Sequence, residues 1–554
     1  MQSKAREFLA VRFVADLSAA RVGPELEASM GQTVGTESGL DNVIKRAESR
    51  VGKFTISGRY HRKPRKMEDD YIILKKNVLG SGYNGKVYEA RGRTGGGTYA
   101  VKGFKLVGVP KEKKEELEAE CEIFLGMDHP HVARLVDVYE SEEQLALVME
   151  CMSGGELFAR VQKLKRFTEQ AAADAAYQML LALNYIHSIG VVHRDIKLEN
   201  FLYEKQDSNF LKLIDFGFSK IWKPNTTMRL SCGTLAYVAP EVLDQNYTSQ
   251  CDMWSLGVTI FILLFGYMPF SGNEDKQISD IKHGKYTVKP AKWDGVSSVA
   301  KDFVKQLLVV KPGVRLTAED ALKHAFIAKR ENLKTDVNPD IVSALVDFGN
   351  ASSFRRACMS MMAWSLTADE RAKVREAFIE MDLDKTGAIK LGEFKKVLMD
   401  KCHIRGDEAT KIFQALDTTH TDEIHYSEFL AAMVSTRISM HDDLLLAAFK
   451  RFDCDNSGRI TVANLREVLG ETFEGNAVEN IMKEADLTGS GDISYEEWIQ
   501  YLSSGKTSEE HRELASKLID SKKPTDSEEP KPLQLRSGKS VLAKVKEPAC
   551  CCIH

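Results

Sequence analysis

The pattern of hydrophobic and polar positions changes several times along the chain. Between residues 71 and 326, apolar runs of strand length come first, at 71–79, 98–104 and 146–151, and helical runs follow. This order predicts a small sheet-rich lobe followed by a larger helical lobe. The most apolar long run, 258–268, is shorter than the roughly 20 residues that span a bilayer, so it is predicted to be a buried core helix.

A connecting segment and a repeated unit come next. Residues 331–367 are amphipathic, and their apolar positions recur at mostly helical intervals: Ile341, Leu345, Phe348, Phe354, Met359, Met362 and Trp364. From residue 369 to residue 502 a helix-loop-helix pattern recurs, with loops that begin 35, 36 and 33 residues apart. Spacing this regular predicts paired structural repeats.

The two ends lack such patterns. The first 70 residues alternate small, polar and basic types without a sustained period, which predicts a mostly disordered extension, and the chain after Ser503 is rich in Lys, Glu, Ser and Pro. We therefore expect five parts: an extension at 1–70, a catalytic domain at 71–327, a junction helix at 328–367, a repeat domain at 368–502 and a disordered tail at 503–554.

Composition narrows the class of protein. A length of 554 residues suits about two to four domains. A formal net charge of -4 gives no case for a nucleic-acid partner, because such proteins usually show a strong basic bias. The ten cysteines follow no secretory signal, so we expect reduced thiols and a cytoplasmic protein. Separately, we expect the chain to act as a monomer.

Three glycines, Gly80, Gly82 and Gly85, follow the first apolar strand. Glycine lets the backbone pass close over the phosphates of a nucleotide, but dinucleotide-binding folds use the same spacing. Residues 86–89 continue as a strand, whereas a dinucleotide fold would begin a helix there. The motif therefore favours the hairpin lid of a kinase.

The following motifs occur in the order of a protein kinase, and the resemblance becomes specific there. Residues 99–102 (YAVK) resemble the strand whose lysine holds the α and β phosphates, and residues 193–200 (HRDIKLEN) resemble the catalytic loop. Residues 215–217 (DFG) and 239–241 (APE) complete the set. Each motif alone is compatible with plain scaffold, but their joint occurrence in this order is not a chance match.

This resemblance implies catalytic roles. Asp195 would accept the substrate hydroxyl proton, Lys197 would neutralise charge on the moving phosphate, and Asn200 and Asp215 would bind magnesium. Lysine two residues after Asp195 is the serine/threonine-kinase pattern. Because the catalytic set is complete, a pseudokinase that keeps the fold without the chemistry is disfavoured.

The partner of Lys102 must be a carboxylate on the next helix, where three acids compete. The distance to His129-Pro130 in similar kinases selects Glu120 over Glu118 and Glu122. The resemblance further implies two structural roles: an ion pair between Glu241 and Arg315, and bracing of the catalytic loop by Asp252. The hinge would be formed by residues 150–152, with backbone groups of Glu150 and Met152 binding adenine.

Nucleotide and substrate contacts are also implied by the resemblance. The residues expected around ATP are Leu79, Gly80, Gly82, Gly85, Val87, Ala100, Lys102, Glu150, Met152 and Glu156. Glu156 and Glu199 are similar to acids with which calmodulin-dependent kinases bind an arginine upstream of the target. This similarity predicts basic-x-x-Ser/Thr targets, unless Glu156 serves only the ribose.

Calcium-binding loops place oxygen ligands at positions 1, 3, 5 and 7, glycine at 6 and a bidentate acid at 12. The first loop, 382–393, meets every requirement through Asp382, Asp384, Thr386, Ala388 and Glu393. The fourth loop, 486–497, has fewer charges, which predicts weaker binding. Its expected ligands are Asp486, Thr488, Ser490, Asp492 and Glu497.

The other two loops depart from the pattern. In the third, the expected ligands are Asp453, Asp455, Ser457 and Arg459, the last through its carbonyl, but Asn464 replaces the bidentate acid, and binding there stays open. In the second, 417–428, Asp422 replaces glycine at the bend. We expect that loop to be structural, pairing its hand with the first through Ile389 and Ile424.

A kinase, an amphipathic connector and four hands in this order resemble the calcium-dependent protein kinases of plants and single-celled parasites, over residues 71–502. The resemblance implies an α+β bilobal protein kinase fold followed by an all-α EF-hand (calmodulin-like) domain. It implies the use of ATP, Mg²⁺ and Ca²⁺ and phosphorylation of protein substrates. The connector would hold the enzyme inactive until the calcium-loaded hands take it up.

Three alternatives remain beside this interpretation. In the first, the apolar stripe of the connector is plain core. A calcium-responsive scaffold without catalysis is disfavoured by the intact catalytic set, and a calcium buffer joined to an independent kinase is disfavoured by the defective loops. The ends add membrane-attachment hypotheses: myristoylation of Gly31 if translation begins at Met30, and palmitoylation of Cys550, Cys551 and Cys552.

Overall fold

The computed structural model describes residues 39–82, 85–94, 97–217, 219–221, 228, 235–330, 339–402, 404–434 and 440–503. The predicted tail beyond Ser503, Gly31 and the terminal cysteines lie outside the described residues. None of the helices in the described ranges is both long and apolar enough to cross a membrane.

A six-stranded sheet forms the small lobe, in the order β1-β5-β6-β4-β3-β2. The strands are β1 (Tyr60–His61), β2 (Tyr71–Gly82), β3 (Gly85–Gly92), β4 (Thr98–Lys105), β5 (Leu135–Glu140) and β6 (Gln144–Glu150). Neighbouring strands are antiparallel except β1, which pairs parallel to β5. Four helices accompany them: α1 (Gly39–Val51), α2 (Lys53–Ser57), α3 (Met67–Asp70) and α4 (Lys111–Leu125).

The large lobe is helical, as its apolar runs predict. Its helices are α5 (Leu157–Leu164), α6 (Glu169–Ser188), α7 (Pro240–Leu243), α8 (Gln250–Phe265), α9 (Glu274–Lys282), α10 (Pro290–Trp293), α11 (Ser298–Leu307), α12 (Ala318–Lys323) and α13 (Ala325–Ala328). The alanine-rich α6 begins at Thr168, whose hydroxyl accepts a hydrogen bond from the Ala171 amide at 3.2 Å. Helix α8 contains the most apolar run and is buried along its length, as expected of a core helix.

Short strands between these helices carry the catalytic segments. Strand β7 (Val191–Val192) pairs with β10 (Lys220–Ile221), and β8 (Phe201–Tyr203) pairs with β9 (Leu211–Leu213). The catalytic loop therefore lies between β7 and β8, and the DFG segment follows β9.

Residues 339–503 form a second helical body, here named the C-terminal module. Its helices are α14 (Pro339–Asn350), α15 (Ser353–Ser365), α16 (Ala368–Ala372), α17 (Arg375–Met381), α18 (Leu391–Cys402), α19 (Gly406–Leu416), α20 (Tyr426–Met433), α21 (Asp442–Phe452), α22 (Val462–Leu469), α23 (Val478–Ala485) and α24 (Tyr495–Ser503).

Short strands join the calcium-type loops in pairs, as the repeats predict. Strand β11 (Ile389–Lys390) pairs with β12 (Glu423–Ile424), and the predicted contact between Ile389 and Ile424 is present. Strand β13 (Ile460–Thr461) pairs in the same way with β16 (Asp492–Ile493). Between them lies a small hairpin of β14 (Thr472–Phe473) and β15 (Asn476–Ala477).

The connector helices α14 and α15 lie inside the hydrophobic core of the C-terminal module. Phe354 and Met362 are fully buried, and Met359 is 2% exposed. The Phe354 ring packs 5.5 Å from Tyr501 and 6.0 Å from Trp498. In this arrangement the predicted apolar stripe is covered by the hands, because its side chains fill their shared core.

Buried ion pairs join the C-terminal module to the kinase lobes. Arg371 pairs with Glu150 at the end of β6. Arg375 donates to Glu204 at 2.6 Å, and Arg451 donates to Asp137 at 2.6 Å. The module therefore contacts both lobes and the segment that links them.

The predicted disordered extension is wrong for residues 39–70, which form α1, α2, β1 and α3. Ile56 and Arg59 are fully buried, and the Arg59 guanidinium stacks 3.7 Å from the Trp364 ring centre. Helix α1 carries a helical spacing of buried apolar residues at positions 40, 43 and 47, whereas α2, β1 and α3 are too short for a period and are stabilised by contacts with distant parts of the chain. Residues 1–38 lie outside the described residues.

Candidate functional site

The catalytic loop is held by a buried aspartate. Asp252, at the start of α8, accepts hydrogen bonds from the backbone amides of His193 at 2.9 Å and Arg194 at 2.8 Å. Burial alone would raise the pKa of Asp252, but His187 and His193 hold it below its ordinary value. The bracing expected of Asp252 is thus present, and it fixes the backbone on which Asp195 lies.

Asp195, Lys197 and Asn200 form one hydrogen-bonded group. The Lys197 ammonium lies 2.5 Å from Asp195 Oδ2, and the Asn200 amide nitrogen donates to the Asp195 carbonyl at 2.7 Å. This bond leaves the amide oxygen of Asn200 as a ligand atom for a cation. The strained backbone of Arg194, at φ 68°, is typical of functional loops.

The second cluster joins Lys102, Glu120 and Asp215. Lys102 Nζ lies 2.6 Å from Glu120 and 3.4 Å from Asp215. Glu120, the acid expected among the three candidates, is therefore paired with Lys102. Burial alone would lower the pKa of Lys102, but Glu120 and Asp215 raise it above its ordinary value. Burial likewise opposes ionisation of Asp215, yet Lys102 and the Gly217 amide hold its pKa below the usual range.

The side chain of Phe216 shows that this cluster is assembled. It is buried, with its ring 5.4 Å from Phe124 of α4 and 5.2 Å from His193 of the catalytic loop. Helix α4 carries Glu120, so Phe216 packs between the helix and the loop. Asp215 and Asn200 offer the oxygen ligands that Mg²⁺ prefers, and this donor set fits a magnesium site.

The glycine hairpin forms two antiparallel strands, and Val87 of its second strand pairs with Lys102 of the cluster. Gly80 pairs with Val87, and Gly82 pairs with Gly85. Gly85 has φ 125°, which favours glycine over other residues. Leu79 is 47% exposed, and Ala100 lies opposite Met149 in the neighbouring strand pair.

The expected hinge residue Glu150 has a second function in its side chain. One carboxylate oxygen accepts from Lys212 at 2.7 Å and from the Arg134 amide at 2.8 Å, and the other pairs with Arg371. Burial lowers the pKa of Lys212 to about 8. Sequence reasoning assigned only the backbone of Glu150 and missed Arg371, whose burial in a polar segment gives no sequence signal.

Of the two acids expected to bind substrate, Glu156 precedes α5 and forms an isolated bridge with Leu202, and Glu199 lies in the catalytic loop. Glu156 is exposed, whereas Glu199 is half-buried and its Oε2 atom is buried without a hydrogen-bond partner. Arg315 donates to Glu241 at 2.6 and 3.0 Å, so the expected structural pair is present. The candidate phosphorylation sites Thr226, Thr227, Ser231 and Thr234 lie outside the described residues.

The first calcium-type loop has the geometry of a cation site. Asp382, Asp384 and Glu393 place ligand oxygens within 4.8 Å of one another, the one such group of acidic, His or Cys side chains among the described residues. Asp382 accepts from the Gly387 amide at 2.9 Å, and Glu393 accepts from the Asp384 amide at 2.7 Å. Burial raises the pKa of Asp382 to about 7. This donor set fits Ca²⁺, with Thr386 and the Ala388 carbonyl as further ligands.

The fourth loop shares this frame. Asp486 accepts from the amides of Ser490 at 3.0 Å and Gly491 at 2.8 Å, and Glu497 accepts from Thr488 at 2.9 Å. Its ligands therefore stand at the same positions as in the first loop, although with fewer carboxylates.

The third loop differs at its last position. Asn464 is buried, and its amide oxygen accepts from the Thr461 amide at 2.9 Å and from the Thr461 hydroxyl at 3.0 Å. Asp453 still accepts from the amides of Ser457 and Gly458, both at 2.8 Å. The loop keeps its bend, and Asn464 forms a capping box with Thr461 at the start of α22.

The second loop keeps its bend without glycine, because Asp422 adopts φ 61°. Both oxygens of buried Glu428 are hydrogen-bonded, to Thr419 at 3.0 Å and to the His425 amide at 2.8 Å. The Ser427 amide, at the start of α20, donates to Asp128 of the kinase at 2.7 Å. This hand thus serves as a contact with the kinase.

Calcium binding to the first loop should depend on Glu393. We expect Glu393→Gln to lower the calcium affinity of the tightest site by at least about tenfold, because loop affinity follows ligand charge. Titration calorimetry on the full chain measures this. The control is Glu408→Gln, the same change at an exposed position of α19. Equal affinities for wild type and Glu393→Gln would contradict the assignment.

Comparison with known proteins agrees with this geometry. Residues 73–327 match the protein kinase domain, and residues 371–434 and 442–503 match the EF-hand domain pair. One relative is Calcium-dependent protein kinase 3 of Plasmodium berghei, 33% identical over 78% of this chain and 80% of the relative. Calcium-dependent protein kinase 7 of Oryza sativa subsp. japonica is 34% identical over 80% of this chain and 82% of the relative.

A third relative, Calcium-dependent protein kinase 17 of Arabidopsis thaliana, is 33% identical over 82% of this chain and 88% of the relative. These matches cover both the kinase lobes and the C-terminal module. The chain is a serine/threonine protein kinase, and it belongs to the family of calcium-dependent protein kinases.

Proposed function

We propose that this kinase transfers the γ-phosphate of ATP to Ser or Thr of proteins at basic-x-x-Ser/Thr sites. We further propose that calcium bound by its own EF-hands relieves autoinhibition by the connector. The main support is that an assembled catalytic cluster and the hands belong to one contact network, joined at the hinge by the buried pair of Arg371 and Glu150.

In the proposed reaction, Asp195 accepts the proton of the substrate hydroxyl. Its position on the braced loop and its bond to the Asn200 amide orient the carboxylate. Lys197, 2.5 Å from Asp195, stabilises negative charge on the phosphate that moves between the two substrates. Lys102, held by Glu120, binds the α and β phosphates.

Asn200 and Asp215 would hold magnesium, which would supply positive charge to offset the negative charge that develops on the phosphates. The residues proposed around the nucleotide are those of the glycine hairpin and the hinge: Leu79, Gly80, Gly82, Gly85, Val87, Ala100, Glu150, Met152 and Glu156.

A basic residue of the substrate would bind at Glu199. One oxygen of this carboxylate is buried and lacks a hydrogen-bond partner, a state that costs free energy until a cation pairs with it. The exposed Glu156, the other acid that the resemblance assigns to substrate binding, supplies a second negative charge. An arginine three residues before the target hydroxyl carries the matching charge.

Calcium control would operate through contacts of the first loop with the kinase. Asn184 of α6 donates to the Lys385 carbonyl at 2.6 Å, and Ser188 donates to the Thr386 carbonyl at 3.3 Å. A Cβ atom at Gly387 would lie 2.5 Å from the Tyr185 ring, so the loop sits directly on the kinase. A conformation of this loop that calcium stabilises therefore also favours docking, by linkage.

The connector supplies the inhibitory state in this proposal. In the structure α14 and α15 fill the core of the hands, and the proposal assigns this arrangement to the calcium-bound state. Without calcium, closed hands would no longer accept this apolar stripe, and the connector would be free to occupy the kinase. The alternative, that the stripe is permanent core, predicts activity that does not respond to calcium.

Phosphorylation of a basic serine peptide across a range of free calcium tests catalysis and control together. We expect little activity in chelator and a rise with calcium. At saturating calcium, Asp195→Asn should lower kcat by about 10²–10⁴-fold, because the proton acceptor is lost. Asp207→Asn, the same change in an exposed turn, is the control. Full activity in chelator would contradict calcium control, and an active Asp195→Asn variant would contradict the catalytic assignment.

Substrate preference should depend on Glu199. For wild type, replacing the arginine three residues before serine by alanine should lower kcat/KM by about tenfold or more, because a charge-assisted hydrogen bond is lost. In Glu199→Gln the two peptides should differ much less. Glu319→Gln, on the surface helix α12, should keep the wild-type preference. If wild type phosphorylates both peptides equally well, the acidic site does not bind arginine.

A further inference from the structure

We propose that residues 52–61, here named the N-terminal clasp, form a docking element that holds the C-terminal module on the small lobe. This inference rests on the proposed function, since it adds a component to the interface through which calcium would act. The clasp precedes residue 73, where the match to the kinase domain begins, and lies outside both EF-hand matches.

One side of the clasp is fixed to the kinase. The Val138 amide donates to the Arg59 carbonyl at 2.7 Å, and β1 extends the sheet along β5. The fully buried Arg59 guanidinium donates to the carbonyls of Leu125 at 2.9 Å and Leu135 at 3.0 Å. Three hydrogen bonds of this kind, two of them from a charged donor, make the clasp part of the small lobe.

The other side of the clasp contacts the third hand. Helix α2 packs on α22, and the Phe54 ring lies 5.2 Å from Phe473. Phe54 is half-buried and packs against the core of the C-terminal module. An aromatic side chain in this position stabilises contact with the hand, because its burial depends on the module being present.

The connector and Arg451 meet the clasp at its centre. The Gly58 carbonyl accepts from Arg451 Nη1 at 2.9 Å, and a Cβ atom at Gly58 would lie 2.3 Å from Met361 Cε. Next to it, Trp364 is stacked between Arg59 at 3.7 Å and Arg134 at 4.4 Å. The clasp backbone thus touches the connector helix at close range.

The second hand completes the interface. A Cβ atom at Gly52 would lie 3.6 Å from the methyl group of Thr419, which belongs to the second calcium-type loop. The ten-residue clasp therefore contacts the second hand, the connector and the third hand, while its strand β1 belongs to the kinase sheet. Three separate contacts with one module indicate a docking element. A strand that only extends the kinase sheet would need contacts with the kinase alone.

The clasp has a regulatory consequence. Its contacts with Phe473, Arg451 and Trp364 exist only when the module lies on the small lobe with the connector taken up. They favour the docked state, and by linkage they lower the calcium concentration at which docking occurs.

The test uses the full chain with Phe54→Ala, which removes a contact to the hand and leaves Arg59 and β1 in place. The matched control is Lys53→Ala, an exposed neighbour on α2. Phe54→Leu keeps an apolar side chain of similar reach. Two readouts apply: hydrogen exchange of residues 53–61 and 462–473 in saturating calcium, and the calcium concentration for half-maximal peptide phosphorylation.

We expect Phe54→Ala to accelerate exchange in both segments and to raise the half-maximal calcium concentration by about fivefold or more, with Lys53→Ala unchanged and Phe54→Leu close to wild type. Wild-type exchange in Phe54→Ala would overturn the clasp. If wild type proves active in chelator, the proposed calcium control fails, and hydrogen exchange alone still decides whether the clasp holds the module.

Discussion

The structure depends on buried charge pairs between the EF-hand module and the kinase. Burying an arginine or a carboxylate alone costs several kcal/mol, so such groups persist only where a partner is held in good geometry. Arg371 with Glu150 and Arg451 with Asp137 meet this condition, each with exposures under 10%. Asp137 also accepts from His61 at 3.0 Å, and although burial opposes its ionisation, Arg451 and His61 hold its pKa below the ordinary value. Separating the module from the kinase would remove Arg371 from Glu150 and Arg451 from Asp137, and would leave Glu150 with Lys212 and Asp137 with His61.

The same interface connects the first calcium-type loop to the proposed nucleotide site through a series of direct contacts. The first loop contacts α6 through the Lys385 carbonyl, α16 before this loop carries Arg371 to Glu150, and Glu150 also binds Lys212 on the strand before Asp215. Each step is a direct contact between rigid elements. The catalytic cluster is assembled in the same arrangement, because Phe216 packs between α4 and the catalytic loop. The C-terminal module therefore contacts the hinge that is proposed to bind adenine, through Arg371 and Glu150.

Much of this organisation was predictable from sequence, for physical reasons. The Ile389 and Ile424 contact follows from the spacing of the repeats, whereas the Lys102 and Glu120 pair, the Asp252 brace and the Glu241 and Arg315 pair follow from the resemblance to protein kinases. The interface was not predictable, because Arg371, Arg451 and Asp137 lie in segments that also suit exposed charged residues. Residues 52–61 were wrongly assigned to a disordered extension, since short elements stabilised by Trp364 and Phe473 have no periodic pattern of their own.

The most direct test of the account is the activity of Arg371→Met at saturating calcium. Calorimetry on the same sample verifies that the first loop still binds calcium, and Arg466→Met, at an exposed ion pair of the third hand, is the control. If the docked module supports the hinge, Arg371→Met loses at least about tenfold in kcat/KM for ATP, because one buried oxygen of Glu150 loses its charged partner while the other keeps Lys212. Wild-type kcat/KM in a calcium-loaded Arg371→Met protein would contradict the account.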